Sequence, residues 1–167
     1  PVASTGDATA DPNESFMLQV AQALSGARRE SMYRDLVESA AVLLGADIGL
    51  LGRYVEIEGE PHIDNLAMWV NGKFAPAGIY PLAGTPCETV VGQGLRFYPR
   101  ELAYLFPDSD AKSHEVEGYA AFPLFDENNK QLGLISVMSY QPLADASRAE
   151  SVLRIFAERA VAEIERT

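Results

Sequence analysis

The stretch Leu132-Gly133-Leu134-Ile135-Ser136-Val137-Met138-Ser139 constrains this chain more than any other. It is nearly apolar on both faces of an extended backbone, with no polar side to turn toward water. Such a strand belongs in the middle of a sheet that is covered on both sides. The remainder of the chain must therefore supply two separate layers, one for each face.

Hydrophobic spacing locates the first layer. Asp11-Pro12-Asn13-Glu14 reads as a cap, a first-turn proline and a capping-box acid. The helix after it carries Phe16, Val20 and Leu24 on one stripe, with Met17 and Ala21 beside it, and Ser25-Gly26 ends it. A second helix is expected from about Arg28 to Leu44, with Met32, Leu36, Ala40 and Leu43 at helical spacing and Gly45 as its stop. Near the other end, Ser147 and Glu150 form a capping box for a last helix, whose Leu153, Phe156, Ala160 and Ile164 share a face.

Between these helices the period falls to 2. Ile48, Leu50, Gly52 and Tyr54 alternate with Gly49, Leu51, Arg53 and Val55 as a strand, and Glu58-Gly59-Glu60-Pro61 turns the chain. Ile63 to Val70 returns, Asn71-Gly72 is a hairpin signal, and Phe74 to Tyr80 is a third strand interrupted by Pro76. Tyr119 to Phe125 and Gln131 to Tyr140 are two apolar strands joined by a polar turn. Antiparallel hairpins with helices gathered at the termini define an α+β domain, expected over residues 13–167. Residues 1–12 are expected to be a disordered leader or remnant, since the small polar run at their start has no period.

The second layer must come from residues 81–118, a connection unusually long for one without long elements of its own. It opens on Tyr80-Pro81-Leu82-Ala83-Gly84-Thr85-Pro86-Cys87-Glu88-Thr89-Val90-Val91-Gly92. Thr85 and Glu88 have capping-box spacing, Pro86 suits the first helical position, and Gly92 and Gly94 stop the helix after about two turns. A helix so short is marginal alone and must be held by tertiary contacts. Lying over an apolar sheet face, this segment is the natural roof of a pocket.

Bulk properties narrow the partners. A formal charge of −11 and a pI near 4.5 argue against nucleic acid or an anionic membrane surface. No apolar run approaches a membrane span, and no signal-peptide pattern opens the chain. One cysteine permits no internal disulfide, which suits the cytoplasm. The chain opens on Pro1, and its last helix runs to Thr167 without a stop signal, so a piece of a longer protein is expected.

Two stretches resemble the GAF family of small-molecule sensor domains. Tyr119-Ala120-Ala121-Phe122-Pro123-Leu124, a charged turn, then Leu132-Gly133-Leu134-Ile135-Ser136-Val137 is similar to the family's strand, proline-leucine, hairpin, glycine and apolar-strand pattern. Tyr80 to Val91, with Phe106-Pro107-Asp108 downstream, resembles a subgroup attached to bacterial sensor kinases. The likeness covers about Asn13 to Thr167. It implies a central antiparallel sheet of roughly five to six strands, terminal helices on one face, and a ligand cavity under loops and short helices on the other. It also implies two-component signalling, in which the last helix continues into an output domain such as a histidine kinase, often through a dimeric coiled coil. The cyclic-nucleotide signature of the family is missing, because Asn129-Lys130 is followed by Gln131-Leu132, and no bilin-type cysteine context occurs. Phe97 stands where relatives in the subgroup often carry a second cysteine, which weakens a redox or metal role.

The candidate ligand-binding set is Trp69, Tyr80, Thr85, Cys87, Val90, Val91, Phe97, Tyr98, Tyr119 and Ser136. Each aromatic taken singly is ordinary packing; as a set around one cavity they give an apolar lining with a few hydroxyls. Ser139 is a further polar anchor. Cys87 at a helix start favours a thiolate, while Glu88 beside it opposes one and a lone buried cysteine behaves as a small hydrophobe. His62 and His114 have no acid or cysteine at metal-ligand spacing, so no metal site is expected. The ligand itself, and any cofactor, stays unnamed. A free methionine-sulfoxide-reductase type of GAF enzyme is the alternative, opposed by the need for attacking and resolving thiols where this chain has one. No enzymatic activity is expected. A module kept only for dimerisation is a further alternative. A homodimer through the terminal helices is expected from the Phe16, Val20 and Ile164 stripes and the charges flanking Ile164.

Overall fold

The computed structural model describes residues 12–26, 31–76, 78–83, 85–90, 95–105 and 116–166. In chain order the elements are α1 (Pro12–Gly26), α2 (Met32–Leu43), β1 (Ile48–Ile57), β2 (Glu60–Val70), β3 (Lys73–Phe74), β4 (Ile79–Pro81), a 3-10 helix (Pro86–Val90), β5 (Arg96–Tyr98), α3 (Leu102–Leu105), β6 (Gly118–Phe125), β7 (Gln131–Ser139) and α4 (Ala146–Arg166). Among the described residues they form an α+β fold around a seven-stranded antiparallel sheet of order β3-β2-β1-β7-β6-β5, with β4 also paired to β2.

β7 lies between β1 and β6, and its middle residues Gly133 to Val137 are buried. The strand without a polar face is thus central, as its composition requires. The strand count exceeds the five to six expected because the third strand divides. β3 and β4 pair with different parts of β2 across an interruption that contains Pro76, so both occupy the same edge of the sheet. β5, three residues long, adds the opposite edge beside β6 and gave no period of its own in the sequence.

One face carries α1, α2 and α4. Phe16, Val20, Leu36, Val37, Ala40, Leu153, Phe156 and Ala160 pack there with Leu51, Ala120, Leu124, Ile135 and Val137 of the sheet. The approach is close: a Cβ at Gly49 would lie 2.3 Å from the Val37 carbonyl oxygen, so β1 needs glycine where α2 crosses it. α2 ends at Leu43, and Gly45 follows at φ +66°, the left-handed stop that glycine adopts without strain. In α4 the cap is Asp145, whose Oδ1 accepts the Arg148 N–H at 2.9 Å, in place of the expected Ser147. Glu150, the supposed partner of that box, instead pairs with Arg154 one turn on. Ile164 is half-buried against the same core.

The other face is roofed by residues following β4. Leu82, Cys87, Val90, Leu102 and Val116 are buried against Ile48, Leu50, Ile63, Tyr119, Ala121 and Leu134. The helix expected to run about two turns after Thr85 is a 3-10 helix of five residues. Residues 91–94 and 106–115, which carry the glycine stop, Phe106-Pro107-Asp108 and His114, lie outside the described residues, as does the leader 1–11.

Candidate functional site

Strand alternation decides which side chains meet the roof. One row across the sheet reads Val70, Ile48, Met138, Tyr119 and Tyr98; the next reads Met68, Leu50, Ser136, Ala121 and Arg96. In β2 the register slips between Leu51 and Gly52, so that Leu51 faces Ala67 while Gly52 faces Asn65. Leu66 is the extra residue of this bulge, and it packs with Ala67 against the helices. Beyond the bulge the phase is reversed: Ile63 and Asn65 face the roof, whereas Ala67 and Trp69 face the helices.

The centre of the roofed face is Cys87, 5 % exposed in the 3-10 helix. The hydroxyl of fully buried Tyr119 donates to its Sγ at 3.2 Å. The Tyr80 hydroxyl lies 3.8 Å from the same sulfur. Thr85 donates to the Leu82 carbonyl at 2.7 Å, closing the turn that delivers the helix. Burial pushes the Cys87 thiol up; hydrogen bonds from Tyr119, Tyr80 and Thr85 pull back only part of that shift. Burial also raises Tyr119 and Tyr54, with proximity to Cys87 adding to both. All three groups are therefore neutral near pH 7, and Cys87 is a protonated anchor, not an activated nucleophile. Tyr54 accepts a hydrogen bond from Gln131 Nε2 at 3.0 Å, and the Tyr98 and Tyr119 rings stand 6.0 Å apart.

Two polar atoms on this face have no hydrogen-bond partner among the described residues: Asn65 Oδ1 and Ser136 Oγ. Asn65 is 9 % exposed and Ser136 0 %. An unsatisfied buried polar group costs about 1–3 kcal/mol, so a native protein rarely keeps one without a reason.

The structure brings Tyr80, Thr85, Cys87, Val90, Tyr98, Tyr119 and Ser136 together on the roofed side. It places two proposed lining residues elsewhere. Trp69 packs against the helix-side core because the β2 bulge reverses its phase. Phe97, next to Tyr98 on β5, alternates to the same side and lines a groove with Leu43, Leu44 and Leu143. Val91 lies outside the described residues. Ser139 hydrogen-bonds Asp47 at 3.2 Å and is not part of the roofed surface. Sequence reasoning missed Tyr54 and Asn65. Tyr54 shares the alternation of Ile48, Leu50 and Gly52, which was a usable signal; Asn65 needed the bulge to be known. Among the described residues no group of His, Cys, Asp and Glu is arranged to hold a metal ion.

No family model matches this chain, and no curated protein does. Solved structures do. The chromophore-binding domain of a Stigmatella aurantiaca phytochrome superposes with a TM-score of 0.67 at 18% identity over 92% of this chain. Free methionine-R-sulfoxide reductase from Neisseria meningitidis, solved with its substrate, matches at TM-score 0.70 and 14% identity, over 94% of this chain and 92% of that one. The GAF domain of an Acinetobacter phosphoenolpyruvate-protein phosphotransferase matches at 0.68 and 14%, over 95% and 96%. The chain has the GAF-domain fold. It spans 61% of the phytochrome domain and 37% of the photosensory core module of a Stigmatella aurantiaca phytochrome.

Proposed function

We propose that this chain is a small-molecule-binding sensory module, relaying occupancy of its roofed face through the terminal helices to a further domain. The observation that carries the reading is the division of one sheet. Its roofed face holds a cysteine, tyrosine hydroxyls and two unpartnered polar atoms, while its other face is packed directly by the terminal helices. A molecule that moves β1 or β7 on the roofed side necessarily presses on α2 and α4 behind them. The fold supports this reading, since it is shared with a chromophore-binding domain.

A bacterial cytoplasmic setting, a histidine-kinase or related output and a homodimer through α1 and α4 belong to the same proposal. Among the described residues no helix is long and apolar enough to cross a membrane. Phe16 and Val20, expected at that interface, are instead buried in the chain's own core, which leaves exposed Met17 and Leu18 on α1 for a helical interface. The module is proposed to bind and not to catalyse. Sulfoxide reduction by thiols starts from an attacking thiolate, and the one cysteine of this chain is buried and held protonated. Methionine sulfoxide with a thiol reductant should therefore give no turnover.

Native mass spectrometry of freshly purified protein tests the binding reading. A retained small molecule is expected in the parent chain and not in Val90→Trp, whose indole replaces a fully buried side chain between the 3-10 helix and the sheet. A folded Val90→Trp protein that keeps the same molecule places the site elsewhere.

A further inference from the structure

We propose that the roofed face takes an uncharged molecule with an apolar or aromatic body, which donates a hydrogen bond to Asn65 Oδ1 and exchanges one with Ser136 Oγ. This rests on the sensory reading above and specifies the chemistry of the ligand.

The two unpartnered atoms belong to one surface. Gly52 pairs with Asn65 on one side, and Leu50 pairs with Ser136 on the other, so Asn65 and Ser136 flank β1 on its roofed face. Two strand spacings and a two-residue offset put their Cα atoms roughly 12 Å apart, a distance that a short molecule with polar groups at both ends can bridge. In the Asn65 amide, Nδ2 lies 3.9 Å from Met68 Sδ and Oδ1 has no partner. A bare acceptor calls for an N–H or O–H on the ligand.

The neighbouring polar groups are already engaged. Tyr119 donates to Cys87, Tyr54 accepts from Gln131, and Thr85 donates to Leu82. The cluster on the same face is otherwise apolar or aromatic, with Leu50 and Ala121 paired directly to Ser136 and Ile63 two residues from Asn65 on β2.

Among the described residues the same inventory offers a charge no partner. Asn65, Ser136 and Ser139 are not ionisable, Ser139 is bonded to Asp47, and the buried ionisable groups on this face, Cys87 and Tyr119, have their proton loss displaced upward by burial. Arg96 ends the row that contains Ser136, but it stands half-buried at the edge strand and has a partner of its own. A carboxylate or ammonium under the roof would thus lose its water without gaining a counter-charge.

Three probes on one skeleton test this with the full chain: 4-hydroxybenzamide, 4-hydroxybenzoate and 4-hydroxybenzylammonium, followed by amide NMR shifts and thermal melting. The neutral probe should shift Leu50, Asn65, Tyr119 and Ser136 and raise the melting temperature, with each charged probe at least about tenfold weaker. In Ser136→Ala the free protein should melt at the same temperature or higher, while affinity for 4-hydroxybenzamide falls about tenfold. A charged probe that shifts the same amides at equal or lower concentration overturns the ligand class and leaves the site standing. If no probe shifts any amide on the roofed face, the site reading falls and this inference with it. A Ser136→Ala protein that melts lower without ligand shows a hydroxyl already satisfied by a bound water, and overturns the claim that it awaits a ligand.

Discussion

The two faces of this sheet are built to different rules. The helix side is sealed by side chains of α1, α2 and α4, and glycine at position 49 lets a helix backbone come close to the sheet. The roofed side is covered by a five-residue 3-10 helix and a four-residue α3, and it keeps two buried polar atoms without partners, whereas Ser139, buried on the other side, is bonded to Asp47. Long helices cannot rearrange locally, whereas short segments can open with little loss of contact. The same strands therefore carry a rigid layer on one surface and a looser cover on the other.

Truncating matched leucines measures that asymmetry. Leu153 on α4 and Leu102 on α3 are both fully buried, one on each side of the sheet. Leu153→Ala should cost about 3–5 kcal/mol in urea unfolding, because a 21-residue helix cannot collapse into the void. Leu102→Ala should cost about 2–3 kcal/mol, since its short helix can settle inward. Equal losses would make the roof as rigid as the helical layer and remove the contrast.

The sequence carried the helix side more openly than the roofed side. Stripes such as Leu36, Ala40, Leu153 and Phe156 repeat at helical spacing because each contacts one continuous layer. The central place of β7 was readable from its two apolar faces, and the Asn71-Gly72 hairpin from residues that take positive φ, +50° and +88° here. The roofed side depends on features with no local signature. One extra residue at Leu66 reverses the phase of β2, so an alternating count begun at Ile63 sends Trp69 to the wrong face. Adjacent Phe97 and Tyr98 cannot both face the roof, and only the pairing of β5 with β6 decides between them. Both Ser147 and Asp145 are capping residue types two positions apart, and it is Asp145 whose carboxylate accepts the Arg148 N–H.

A smaller effect tests whether the roof is pinned through Cys87. The Tyr119 hydroxyl and the Cys87 sulfur are 3.2 Å apart in a buried setting, so their coupling should be measurable by a double-mutant cycle. Tyr119→Phe, Cys87→Ala and the double variant should give a coupling of about 0.5–1.5 kcal/mol. A coupling of zero would mean that the roof is held by its apolar contacts alone. On the helix side the buried hydroxyl is Ser139, which donates to Asp47 at 3.2 Å at the end of β7 and ties no covering segment to the sheet.

The smallest effect is a dependence on alkaline pH that rests mainly on the roofed side, since of the raised groups among the described residues only Tyr33 packs against the helix-side core. Cys87, Tyr119 and Tyr54 all have their proton loss displaced upward by burial, from ordinary values of 9.0 for the thiol and 10.0 for each phenol. A group raised in the folded state keeps its proton there while the unfolded chain releases it. Its contribution to stability is whole below the unfolded value and is lost as pH rises toward the folded one. Stability should hence be flat with respect to these groups between pH 7 and about 8, fall by about 0.5 kcal/mol at pH 9, and steepen beyond pH 10 as the tyrosines join. Because the thiol titrates first, Cys87→Ala should postpone the decline by roughly one pH unit. Urea midpoints collected from pH 7 to 10 on both proteins measure this directly. Superimposed curves for the two would show that the thiol is open to solvent, and with it the roof that buries it.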